Sequence, residues 1–345
     1  MTDPHNSIEA LRAKFGKNVV IVGHHYQEET VIRHTDLRGD SLELARRTAA
    51  LDCDHIVFCG VYFMAESAAL LAKPGQKVHL PEPSAECSMA LMSPADRVRK
   101  VLERLSAKGR KIIPLAYVNS TLEVKAVVGE YGGSVCTSAN AQKMLSWAFA
   151  QGDAVLFVPD RNLGANTADL LGIPESARMR LSIRDDGARI DEDEAAEARL
   201  LLWPGHCTIH THFNLHQIAR HREENPKARI VVHPECTPEV VKAADAAGST
   251  SFIIRYAKEA EDGAVIVVGT EVNLVERLAR EHAGRITVLP LAESACPHMA
   301  QTTEERLEAC LRAIDQGSDE FLVRVPVGAA DNARAALETM LRVCA

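Results

Sequence analysis

A spacing that occurs twice constrains this chain more than any other feature. The apolar run 19–22 leads through Gly23 into His24, and the run 230–232 leads into His233. From each histidine a second apolar run ends 36 residues on, at Gly60 and at Gly269, and a cysteine follows at 63 residues, Cys87 and Cys296. Ser41 and Thr250 each stand 17 residues after their histidine, where a helical pattern opens. A third, looser copy lies between them. Residues 112–115 run into Tyr117-Val118-Asn119, Thr137-Ser138 opens a helix 21 residues after Tyr117, and Cys207 follows at 90 residues. This middle copy is longer by 27 residues, and much of the excess is assigned to residues 184–199, where Asp191-Glu192-Asp193-Glu194 reads as a solvated insertion. Periodic self-similarity of this kind points to repeated supersecondary units.

Seven runs rich in Val and Ile, at residues 18–22, 56–60, 111–115, 154–158, 230–232, 264–268 and 286–289, read as strands buried on both faces. Helical patterns fall between them, at 41–46, 140–150 and 271–282. Strand alternating with helix predicts an α/β chain with parallel sheets. The expected fold is three α/β units, each three-layered around a parallel sheet, related by a pseudo-threefold about a central active site. The boundaries expected are 1–110 with Cys87, 111–208 with the acidic insertion and Cys207, 209–303 with Cys296, and a helical segment 304–345 packing back on the units.

The 345 residues carry 39 Lys and Arg against 47 Asp and Glu, a net charge of −8, with 4% aromatics. That balance excludes the electrostatic footprint of a nucleic-acid binder. No stretch reaches the roughly 18 apolar residues of a membrane span, and the start of the chain shows no basic run leading into an apolar one. A cytoplasmic location is therefore expected, and the nine cysteines are expected to be thiols or metal ligands, not disulfides.

Ligands of open α/β sheets sit outside the carboxyl ends of the strands. Three such ends around one axis would line a single site with His24, Tyr26, Tyr117, Asn119, His233 and Glu235. Ser41, Thr137, Ser138, Ser249 and Thr250 would stand at helix N-termini, which suit phosphates and carboxylates. One cysteine per unit brings three thiolates to one point. That is one short of the four protein ligands of a structural zinc site or of a fully ligated [4Fe–4S] cluster, so an open iron acting as Lewis acid is the reading. Cys53, Cys59, Cys136, Cys236, Cys310 and Cys344 share no phase of the repeat and read as small buried side chains. Two rivals stand beside this reading. His206, His210, His212 and His216 have the four-residue spacing of helical zinc pairs, which would make a zinc hydrolase. A non-catalytic iron–sulfur carrier would also need the three cysteines.

The chain further resembles the quinolinate synthases, iron–sulfur enzymes of NAD biosynthesis. The resemblance rests on Gly23-His24-His25-Tyr26-Gln27, Gly39-Asp40-Ser41, Pro83-Ser84-Ala85-Glu86-Cys87, Tyr117-Val118-Asn119-Ser120 and Cys136-Thr137-Ser138-Ala139-Asn140. It continues through Pro159-Asp160-Arg161-Asn162, Trp203-Pro204-Gly205-His206-Cys207, His233-Pro234-Glu235-Cys236, Gly248-Ser249-Thr250-Ser251, Gly269-Thr270-Glu271 and Cys296-Pro297-His298-Met299. It implies a [4Fe–4S] cluster on Cys87, Cys207 and Cys296. It also implies condensation of iminoaspartate with dihydroxyacetone phosphate to quinolinate, phosphate and two waters, downstream of an aspartate-oxidising enzyme. Ser41, Ser138, Ser249 and Thr250 would hold the substrate anions. His24, Tyr117, Asn119, His210 and His233 would orient carboxylates and carbonyls. Glu235 is the candidate general base and acid, Tyr26 the candidate acid for a departing hydroxyl, and His24 a third catalytic candidate. Some members carry C-x-x-C ending at the third ligand; Glu293 holds the earlier position here, so no dithiol switch is expected.

Overall fold

The computed structural model describes residues 3–345, the side chains of Leu42 and Glu192 aside; Met1 and Thr2, at the head of the N-terminal stretch read above, lie outside the described residues. Three sheets form. The first orders its strands β2-β1-β3-β4, with β1 Val19–His24, β2 Leu37–Gly39, β3 His55–Cys59 and β4 Lys77–His79. The second contains β5 Ile112–Tyr117, β6 Ser134–Cys136, β7 Ala154–Val158, β8 Arg178–Arg180 and β9 Leu200–Leu202, in the order β6-β5-β7-β9-β8. The third, β11-β10-β12-β13, contains β10 Arg229–Val232, β11 Ala246–Ala247, β12 Val265–Gly269 and β13 Thr287–Pro290. All pairings between these strands are parallel.

The three sheets thus share one strand order, with β8 added at the edge of the second. Parallel strands need helical crossovers, and helices on both faces explain why β5 and β7 are buried along their whole length. The middle unit's excess begins after the helix Arg161–Leu170 and runs to β9. It holds β8 as well as the short acidic helix Glu192–Glu197, so it starts earlier than the acidic residues alone suggested.

The same backbone device closes each unit. The N–H after the third strand bonds a carbonyl two residues before the cysteine: Tyr62 to Ala85 at 2.8 Å, Arg161 to Gly205 at 2.9 Å and Val272 to Ser294 at 3.3 Å. One short helical turn then follows each cysteine, at Ala90–Met92, His210–His212 and Met299–Gln301.

The C-terminal segment is not one continuous helix. The helix Glu304–Asp315 packs with the helix Pro4–Phe15 on the first unit, through Leu307, Cys310 and Leu311 against Ile8 and Ile21. The chain then lies along β4, where Leu80 donates to the Phe321 carbonyl and Val323 to that of Val78. The helix Val327–Val343 follows and buries Ala333, Ala336, Leu337 and Met340 against the second unit. The interruption has a local cause: Gly317 takes φ +69°, and Pro326 restarts the helix after extended backbone.

Candidate active site

The carboxyl ends of β1, β5 and β10 point into one central cavity with about 670 Å³ of space not filled by atoms. Cys87, Cys207 and Cys296 all line it. So do His24, Tyr26, Ser41, Tyr117, Asn119, Ser138, His210, His233, Glu235 and Thr250. Of the residues expected at the site, Ser249 is the exception. Its hydroxyl accepts the Phe252 N–H at 3.3 Å as the cap of the helix Thr250–Glu259, and its side chain faces an outer groove.

Helix starts shape the anion-binding wall. Asp40 caps the helix Ser41–Ala50 by accepting the Glu43 N–H at 2.9 Å, which leaves the Ser41 hydroxyl free for the cavity. Asn140 accepts the Thr137 N–H at 2.7 Å and tightens the turn before the helix Ala141–Phe149. Ser138 meets His233 Nε2 at 3.3 Å. Three helix N-termini, one per unit, therefore surround the cavity, each a partial positive charge with free N–H groups. Asn119 Oδ1, Thr137 Oγ1 and Glu235 Oε1 are buried there without a hydrogen-bond partner among the described residues. Unpaired buried polar atoms are costly, and a bound polar ligand offsets that cost.

The histidines and tyrosines are held in defined protonation states. His24 Nδ1 accepts the Tyr26 N–H at 3.1 Å, and His233 Nδ1 stands 3.4 Å from the Glu235 N–H, the same geometry in two repeats. Burial, then the neighbouring His25 and Arg277 charges, push His24 well below its ordinary value. Burial and His210 push His233 down to about 3. Both rings are neutral at physiological pH. Burial, then the Glu235 charge, raise the Tyr26 and Tyr117 phenols well above their usual value, so both remain donors. Glu235 goes the other way. Burial alone would raise its carboxyl, but His210, with Nδ1 2.5 Å from Oε2, His233, and the nearby Tyr117 phenol hold it below the usual carboxylate range.

Each cysteine sulfur sits at the mouth of a short turn. Backbone N–H groups of Met89 and Ala90 face Cys87, that of His210 faces Cys207, and those of His298 and Met299 face Cys296. Those donors favour the thiolate, while burial pushes the free thiols up, Cys87 to about 12. Charge crosses between the thiols: Cys296 acts on Cys87, and Cys87 on Cys207. Half-buried thiols with N–H support, one from each unit, fit a cationic iron–sulfur group, whose charge replaces the lost hydration.

Sequence reasoning missed the carboxylates behind these loops. Asp160 Oδ2 accepts the Cys207 N–H at 3.1 Å, and Glu271 Oε1 accepts that of Cys296 at 3.3 Å. Each also caps the helix after its unit's third strand. Their shared place in the repeat was the available signal; in the first unit that position is Val61, which makes no side-chain cap, and this hides it. The other cysteines do not line the cavity, and all nine are free thiols.

The zinc pairing of His206 to His216 fails on geometry. His206 precedes the turn and bonds Arg161 at 2.9 Å, while His212 and His216 are exposed. The helix begins only at Leu215, so neither pair shares a helix face. His210 instead joins Cys207 and Glu235 in one close group.

Comparison with known proteins gives a consistent answer. The profile of the family described as quinolinate synthetase A protein matches residues 6–342. The quinolinate synthase of Bacillus subtilis (strain 168) is 40% identical over 346 residues, covering 99% of this chain and 93% of that one. That of Lysinibacillus sphaericus (strain C3-41) is 39% identical over 349 residues, with coverages of 99% and 94%. That of Streptomyces coelicolor is 41% identical over 351 residues, with coverages of 96% and 86%.

Proposed function

The chain belongs to the quinolinate synthase family, and on that premise we propose that it condenses iminoaspartate with dihydroxyacetone phosphate, releasing quinolinate, phosphate and two waters. The observation that carries this reading is that one cavity receives a thiol and a helix N-terminus from every unit. The substrates bring three anionic groups, two carboxylates and a phosphate, to match three helix N-termini. Cys87, Cys207 and Cys296 would hold a [4Fe–4S] cluster, which supplies Lewis-acid polarisation of a substrate oxygen when bound.

The protein's own groups divide the remaining work. Ser41, Ser138 and Thr250, with the helix ends behind them, bind the anions. Neutral His24 has its Nδ1 occupied by the Tyr26 N–H, so its Nε2–H donates to a carboxylate or carbonyl. Tyr117, Asn119, His210 and His233 complete the orienting set. Glu235, held ionised, takes the proton that enamine formation releases, and Tyr26, held protonated, delivers one to a departing hydroxyl. The same reading divides the chain into units 1–110, 111–208 and 209–303 with a C-terminal segment 304–345. It places the enzyme in the cytoplasm beside an aspartate-oxidising enzyme that supplies the imine. Among the described residues no helix is long and apolar enough to cross a membrane.

The test is anaerobic purification, iron and sulfide analysis, and chromatographic detection of quinolinate from both substrates. Glu235→Gln should retain iron and sulfide while turnover falls by about 10²–10⁴-fold. Cluster-loaded wild-type protein that makes no quinolinate would overturn the proposal. A Glu235→Gln chain of unchanged turnover would remove Glu235 from its role.

A further inference from the structure

Two helices make the same pair of contacts across unit boundaries. The helix Arg161–Leu170 of the second unit meets the turn after β10 in the third. Asn162 Nδ2 donates to the Glu235 carbonyl at 3.2 Å, and Asn166 Nδ2 to those of Pro234 and Cys236, both at 2.8 Å. The helix Val272–Glu281 of the third unit meets the turn after β1 in the first. Asn273 Nδ2 donates to the Tyr26 carbonyl at 3.5 Å, and Arg277 to that of His25 at 2.6 Å. In both helices the donors stand two and six residues after the capping carboxylate, Asp160 or Glu271. In both turns the first donor takes the carbonyl two residues after the histidine, and the second takes the one directly after it. A contact that keeps its register in two copies belongs to the repeat. The first unit departs: Phe63 and Ser67 hold the matching positions of the helix Tyr62–Leu71. The turn after β5 is served from its own unit, by Lys125, which donates to the Ser120 carbonyl and lies 5.4 Å over the Phe63 ring.

Asn162 and Asn166 are 3% and 4% exposed. Carbonyls that face a neighbouring unit instead of water need donors. Only the amide nitrogen can serve two carbonyls, so the partners of Asn166 fix which way its amide points. It points that way although its Oδ1 is then buried without a hydrogen-bond partner among the described residues. At the start of the same helix Asp160 accepts the Cys207 N–H at 3.1 Å. One rigid helix therefore holds the backbone of a proposed cluster ligand at its cap and the backbone of the proposed base along its first two turns.

We infer that Asn162 and Asn166 are positioning residues, a latch by which the second unit sets Glu235 against the Cys207 loop. Asn273 and Arg277 do the same for Tyr26 and the Cys296 loop. The inference rests on the proposed condensation for its kinetic consequence, and on the hydrogen bonds alone for the order of the turn.

The experiment is a double-mutant cycle of Asn166→Ala and Glu235→Gln in cluster-loaded enzyme. Asn166→Ala alone should lower kcat about tenfold, since two buried carbonyls lose their donor and the turn shifts. Iron and sulfide should stay within about twofold, because the Asp160 bond to Cys207 is untouched. In the Glu235→Gln background the same change should cost less than about twofold, since a residue that acts through Glu235 has nothing left to position. A merely structural loss would instead multiply. Hydrogen–deuterium exchange of the anaerobically purified protein reads the turn without turnover. The Cys236 amide, bonded to the His233 carbonyl at 3.0 Å, should exchange about tenfold faster in Asn166→Ala. Should that variant not fold, Asn162→Ala carries both measurements through its bond to the Glu235 carbonyl. An unchanged rate, an equal cost in both backgrounds or unchanged exchange overturns the inference. If loaded wild-type enzyme makes no quinolinate, the proposed function fails, and exchange alone decides the latch.

Discussion

Replacing Gly205 with Ala tests whether the cysteine loops are positioned by the backbone bond that recurs in each unit. Gly205 stands two residues before Cys207, and its carbonyl accepts the Arg161 N–H. The equivalent residues of the outer units, Ala85 and Ser294, carry a Cβ. At 205 a Cβ would lie 2.5 Å from the Pro159 carbonyl oxygen and 3.3 Å from Met92 Cβ. Real Cβ atoms essentially never come closer than 3.0 Å, so the two segments must part by about half an ångström. The obstructing atom is backbone, so no side chain can swing away to relieve it. Overpacking of this kind costs about 1–3 kcal/mol, which a chain of this size survives. Metal ligands, however, must sit within about 0.2 Å of their required distances. The displacement at Gly205 exceeds that tolerance, so the damage should appear in the metal centre before it appears in folding. Iron and sulfide per chain, measured anaerobically, should fall to roughly half of wild type or less, with turnover falling in proportion. Gly328→Ala is the control: a Cβ there meets nothing within 4 Å, and it should leave both measurements intact. A Gly205→Ala chain with full iron, full sulfide and full turnover would refute the reasoning.

Other expectations follow from the same structure. Single Cys87→Ser, Cys207→Ser and Cys296→Ser changes should each abolish the visible cluster absorbance and turnover, whereas Cys310→Ala, buried against the helix Pro4–Phe15, should retain both. A Cβ at Gly129 would overlap the Asn332 carbonyl, so Gly129→Ala should lower the thermal midpoint: overpacking costs about 1–3 kcal/mol against at most about 1 kcal/mol gained in helix propensity. His34 is fully buried between Glu9 at 2.8 Å and Glu304 at 2.7 Å. The His34 hydrogen bond holds Glu9 below its ordinary 4.5, and Glu304, despite burial, is held below it by Arg33 and His34. Carboxyls depressed in the folded state stabilise it above pH 4.5 and lose that contribution as pH falls through their folded values. Thermal midpoints should therefore drop on acidification in that window, and Glu9→Gln should flatten the drop.

The long strands were legible because a strand covered on both faces is almost forced to be a continuous Val and Ile run. The short ones were not. Leu37–Gly39, Ser134–Cys136 and Ala246–Ala247 are two or three residues with no apolar run, and pairing to a neighbour makes them strands. β8 escaped for the same reason, since Met179 between two arginines carries no periodic signal. Repeat phase pointed to Cys87, Cys207 and Cys296 and to the three strand ends, because a duplicated unit preserves spacing more strictly than composition. It could not separate Ser249 from Thr250. Adjacent hydroxyls at a helix start divide into one that caps and one that faces the cavity, and only the folded structure says which. Thr270 was inside a quoted motif, yet its hydroxyl meets Tyr26 and His210, 244 and 60 residues away.

The three cavity-lining sulfurs are set far apart along the chain, at 87, 207 and 296. During synthesis the first and second lobes emerge and can collapse long before the last sulfur leaves the ribosome. If the proposed cluster forms on these sulfurs, a stalled or clipped polypeptide ending ahead of residue 296 owns at most two of its anchors. Maturation of the proposed centre would then double as quality control: only a chain that has run past residue 296, with every lobe docked, could be charged.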